Sequence, residues 1–168
     1  MRRTLAALTW LACLAHLGCG YRFTASGAGF PQGIQKVFAP VIVNRTPEPG
    51  LEGVFTEALR EQLSRGGHLG GEGADARLEG ELLSLGGAVA QLAPGTQSAL
   101  TYRLTATLRV KLLKDQTLLA QTDVAGTEDY LPALRADVLT TEANRQAAIR
   151  RLATALAADA VARLQTGD

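Results

Sequence analysis

Thr101-Tyr102-Arg103-Leu104-Thr105-Ala106-Thr107-Leu108-Arg109-Val110-Lys111-Leu112 alternates strictly between apolar and polar side chains. In an extended chain Tyr102, Leu104, Ala106, Leu108, Val110 and Leu112 share one face, and Thr101, Arg103, Thr105, Thr107, Arg109 and Lys111 share the other. This is a long antiparallel strand of a sheet with one dry and one wet face.

The neighbouring segments extend the pattern. Lys114-Asp115-Gln116 turns the chain tightly into another strand, Thr117 to Glu128. Upstream, beyond the Ala93-Pro94-Gly95 turn, Ala76, Leu78, Gly80 and Leu82 alternate with Asp75, Arg77, Glu79 and Glu81. The three strands form a meander. Ile34 to Val43 is β-branched and apolar and predicts a further strand, ending in the turn Asn44 to Gly50. Pro40 cannot donate a ladder hydrogen bond, which places that strand at a sheet edge or gives it a bulge. Leu51, Val54, Phe55, Ala58, Leu59 and Leu63 recur at helical spacing, and Gly66-Gly67 stops the helix. After Leu131-Pro132, a helix from Thr141 to Leu164 carries Ala148, Ile149, Leu152, Leu156, Ala160 and Leu164 on one face, with Thr140 or Thr141 as its cap. The order strand, helix, three strands, helix defines an α+β chain.

Composition agrees with one domain: 168 residues, 46% hydrophobic, 20% charged and 5% aromatic. The net charge is +1, without a basic cluster, so nucleic acid is not a partner. The first residues stand apart. Met1-Arg2-Arg3 gives a positive start, Leu5 to Leu17 is apolar, and Gly18-Cys19-Gly20 follows. That is the layout of a secretory signal, too short to span a bilayer as a helix. A cysteine after the small residue that closes an apolar run resembles a bacterial lipobox, with His16 where Leu is usual. Cleavage before Cys19 leaves a lipidated first residue, and Gly20, where inner-membrane retention commonly shows Asp, points to the outer membrane. The chain thus divides into a signal peptide (1–18), a lipidated lead (19–33) and one domain (34–168).

Catalytic constellations do not assemble. Once the signal is gone the chain keeps one cysteine, blocked by lipid, and one histidine, His68, in a Gly-rich loop with no Lys-Ser/Thr pair after it. Glu79 and Glu81 lie roughly 7 Å apart on the wet face of their strand and read as solvated charges. No metal or cofactor is expected. The remaining signal is a basic stripe, Arg103, Arg109 and Lys111, with Arg77 beside it if the register permits; it is either a solubility device or a contact for an anionic partner.

Gly18-Cys19-Gly20-Tyr21-Arg22-Phe23, Val37 to Thr46, the helix from Leu51-Glu52 to Leu63 and the helix from Glu142 to Leu164 together resemble the lipopolysaccharide-assembly lipoprotein family LptE. The resemblance implies a mixed four-stranded sheet with two helices on one face. It further implies a lipid-anchored outer-membrane protein on the periplasmic side that plugs the LptD β-barrel and assists lipopolysaccharide transport. The family's lipopolysaccharide contacts match no local motif here, so Arg103, Arg109 and Lys111 are inferred from the pattern alone. A competing class is a periplasmic lipoprotein that scaffolds or activates another envelope complex.

One acyl chain holds a protein to a membrane only marginally, whereas two or three hold it stably. Cys19→Ala is expected to release the folded protein into the soluble periplasmic fraction. An intact mass of the mature protein without acyl chains refutes lipidation.

Overall fold

In the computed structural model, which describes residues 29–95, 99–133 and 137–166, the alternating segment lies in β4 (Ala99–Lys114), inside the sheet. Leu104, Ala106, Leu108, Val110 and Leu112 are each at most 1% exposed. The turn residues Asp115 and Gln116 have φ of 49° and 66°, the positive values whose twist matches a two-residue hairpin. They lead into β5 (Thr117–Tyr130), antiparallel to β4. On the other side of β4 lies β3 (Ala76–Leu92), also antiparallel, which completes the meander.

The first strand departs from expectation. Ile34 to Val43 forms two short strands, β1 (Val37–Phe38) and β2 (Val43–Asn44), both parallel to β3 along one edge. The mixed sheet therefore has five strands, not four. Phe38 pairs with Arg77 and Val43 with Glu81, so the edge chain carries one residue more than β3 between the two ladders. Pro40 sits in that bulge.

Helix α1 (Leu51–Arg65) supplies the hydrogen bonds that the interrupted strand gives up. The buried Thr56 hydroxyl accepts the Ile42 N–H at 3.0 Å, and Arg60 Nε donates to the Ala39 carbonyl at 2.9 Å. A Cβ at Gly80 would stand 2.5 Å from Ile42 Cγ2; the glycine lets the bulged residue reach the core.

Helix α2 (Val138–Thr166) starts earlier than its apolar spacing predicts, and its cap is Asp137 rather than Thr140 or Thr141. The Asp137 carboxylate accepts the N–H groups of Leu139 and Thr140, the geometry of an N-cap side chain. The Thr141 hydroxyl instead accepts the Ala133 N–H. Ala148, Ala153, Ala157 and Ala160 are buried along α2, and their small side chains let it lie close to α1, β4 and β5. Arg145, with both guanidinium arms on Glu48, ties α2 to the turn between β2 and α1. Both helices cover the dry face, and Phe30, Ile34 and Leu63 close the core.

Leu108 is fully buried and Thr107 lies on the wet face. Leu108→Ala is expected to cost about 2–5 kcal/mol, and Thr107→Ala within about 0.5 kcal/mol, measured by urea denaturation. Equal losses would invert the two faces.

Candidate functional site

The polar face of the meander is a ladder of opposite charges. Arg103 donates from Nε and Nη2 to the Asp129 carboxylate at 2.7 and 2.8 Å, and Arg109 does the same to Asp123 at 2.8 and 2.7 Å. Arg103 and Arg109 are six residues apart on β4, Asp123 and Asp129 six apart on β5, and the antiparallel register sets each pair opposite. On β3, Glu81 lies opposite Arg109 but pairs with Arg45, which follows β2. Arg77 pairs with Glu79 at 3.1 Å and lies over the Phe38 ring, 5.6 Å from its centroid.

The Pro40 bulge leaves a groove of about 280 Å³ between the edge chain and β3–β4, lined by Pro40, Val41, Val43, Arg45, Arg77, Glu79, Glu81, Arg109 and Lys111 among others. That is just under the ~300–1,000 Å³ usual for a small-molecule site, and most of its lining side chains are charged. Of the sequence-predicted cations it brings together Arg77, Arg109 and Lys111. Arg103 lies roughly 20 Å further along β4. Among the described residues Lys111 makes no ion pair. Its neighbours across the ladder are Glu79 and Gln121. Arg45 was not singled out by the sequence reading, because a turn residue carries no periodicity that assigns it a face.

The Arg109 guanidinium beside Asp123 holds that carboxyl below the usual carboxylate range; Arg103 does the same for Asp129 and Arg45 for Glu81. These are charged partners, the reverse of a general acid with a raised pKa. Glu79 pairs with Arg77 and Glu81 with Arg45. His68 Nδ1 is 3.0 Å from the Gln35 carbonyl, and its ring stands edge-on to Phe30, which gives it a place in the packing around β1. No group of three or more His, Cys, Asp or Glu placed to hold a metal occurs among the described residues. Cys19 lies outside the described residues.

A family model described as "LptE: Lipopolysaccharide-assembly" matches residues 34–164. Compared by sequence with curated proteins, the chain finds no match. Solved structures share the fold. A Xanthomonas campestris protein is 15% identical with a TM-score of 0.58, over 84% of this chain and 90% of that one. The rare lipoprotein B of Shewanella oneidensis is 18% identical with a TM-score of 0.52, over 79% and 92%. A Caulobacter crescentus protein named as a lipoprotein is 19% identical with a TM-score of 0.52, over 76% and 89%.

If the Arg109 bond sets the acidity of Asp123, Arg109→Ala will raise that pKa toward the ordinary value of about 3.9. Asp129, roughly 20 Å away and beyond the ~8 Å screening length of physiological salt, will keep its lowered value. A carboxyl ¹³C NMR titration reads both. A folded-state pKa below the unfolded one gives stability that is present above the unfolded pKa and lost as pH falls through the folded value. With side chains 33% and 42% exposed, solvent screens this pair and its contribution to stability is small. Equal shifts at both aspartates would contradict the pairing.

Proposed function

Because the chain belongs to the LptE family of lipopolysaccharide-assembly proteins, we propose that it is an outer-membrane lipoprotein, anchored at Cys19 on the periplasmic side. In this reading it sits within the LptD β-barrel, helps that barrel assemble and helps pass lipopolysaccharide to the cell surface. The observation that carries this reading is the cross-paired wet face. A porin-like lumen is lined by polar side chains, and a plug inside it needs a polar surface whose charges are already balanced. Arg103–Asp129, Arg109–Asp123 and Arg45–Glu81 provide such balance along the sheet. The names of the Shewanella and Caulobacter proteins favour a lipoprotein.

Lipopolysaccharide phosphates are proposed to meet Arg109 and Lys111 at the groove, with Arg103 an outlying contact. Charge-assisted bonds from several cations to one phosphate reinforce each other, and Lys111 is not held by an ion pair. The competing reading is a lipoprotein that scaffolds or activates another envelope complex, which shares the signal sequence and α+β core but needs no barrel.

Full-length protein with a C-terminal tag, extracted in mild detergent, is expected to bring down a large β-barrel in near-equal amount. Absence of a barrel overturns the plug and favours the scaffold. Arg103→Glu, Arg109→Glu and Lys111→Glu together are expected to weaken lipopolysaccharide binding by about tenfold or more, with circular dichroism unchanged. Full binding in the folded variant removes these residues from the contact.

A further inference from the structure

From Leu82 to Tyr102 no residue carries a charge. Elsewhere in the sheet charged residues recur along the wet face, so this interval is a chemical discontinuity. The structure gives it a shape. β2 ends where Asn44 pairs with Leu82, and β5 ends where Tyr130 pairs with Tyr102. Among the described residues β3 from Ser84 to Val89 pairs only with β4, which there still pairs with β5, and beyond Val89 and Tyr102 the two continue as a two-stranded ribbon. Val89, Leu92 and Leu100 are 49%, 53% and 41% exposed on it.

Among the described residues nothing pairs with the outer edge of β3 from Ser84 to Leu92, although β1 and β2 cover that edge further back. An open strand edge is a template for another chain, and proteins usually blunt it with charge, proline or a cover. This one has neither charge nor proline. Gly86, Gly87 and Ala88 offer little side-chain bulk on either face, and a Cβ at Gly86 would meet nothing within 4 Å.

We propose that the Ser84–Leu92 edge of β3 takes up an extended, uncharged segment of the barrel partner as an added strand; this rests on the plug reading. Strand addition uses backbone N–H and C=O groups for affinity, and the side chains flanking the edge select the partner. The edge residues carry no charge, and the Arg103 guanidinium opposite Ala88 is already bound by Asp129, so an added strand meets no free counter-charge and a neutral segment complements the edge. A lipid interior is excluded, because unpaired backbone groups of an open edge are not tolerated in hydrocarbon. Nucleic acid is excluded for lack of cations.

The test is hydrogen–deuterium exchange of full-length protein, alone and in the copurified complex, with Ala88→Lys/Val89→Lys as the variant. Strand addition is expected to slow exchange of alternate amides across Ser84–Leu92 by about a hundredfold. The folded variant is expected to recover at least tenfold less barrel. A bound barrel with unchanged exchange at this edge overturns the proposal and leaves the plug intact. A preparation with no barrel overturns the plug, and the added strand falls with it. Protection that appears without the barrel and grows with protein concentration assigns the edge to a second copy and overturns the proposal.

Discussion

Burial on one side of β4 governs the rest of the structure. Five alternate residues from Leu104 to Leu112 have lost nearly all contact with water, so both helices lie on that side and Arg103, Arg109 and Lys111 on the other, while Glu128, opposite Leu104, faces α2 and pairs with Arg151. The arginines then find carboxylates across the ladder. Half-exposed pairs of this kind contribute little stability, but they oppose misregistration. A one-residue slip of β4 turns Arg103 and Arg109 into the core and separates them from Asp129 and Asp123. The apolar face makes the sheet stable and the paired face keeps it in register.

The edge of the sheet shows how one residue is accommodated. Pro40 removes a donor from the first strand and forces an extra residue into it. The groups left over are buried, and a buried polar group without a partner costs about 1–3 kcal/mol. Thr56 and Arg60 meet two of them from α1, and the space above Gly80 receives Ile42. The same bulge opens the groove on the wet face, so the groove, the glycine and the two helix side chains are one device.

Legibility in the sequence followed the strength of the solvent boundary. β4, the start of β3 and both helices were readable because each has one wet side and one dry side. The distal half of β3, through Gly86-Gly87 to Leu92, was not. Water reaches both faces of that ribbon, and the period-two signal vanishes without a dry side. The split of the first strand was half visible: Pro40 announced a defect, but not that two ladders would flank it. The cap of α2 was missed because Thr140 and Thr141 share Asp137's capacity to bond backbone N–H groups, and only geometry chooses among them. Of the site, Arg109 and Lys111 were legible as a stripe and Arg45 was not. The pairing itself had a signal, in the equal six-residue spacing of Arg103 and Arg109 and of Asp123 and Asp129, which requires both strands to be read together.

The two ends of the sheet differ in chemistry and in connection. The described chain enters beside β1, where Phe30 meets His68 and Val37 pairs with the first residue of β3. The neutral ribbon lies at the far end of β3, whose 17 residues span roughly 55 Å. A charge-balanced stretch and an uncharged tip thus follow each other along β3. That order follows from the direction of β3 and from the place where its charges stop.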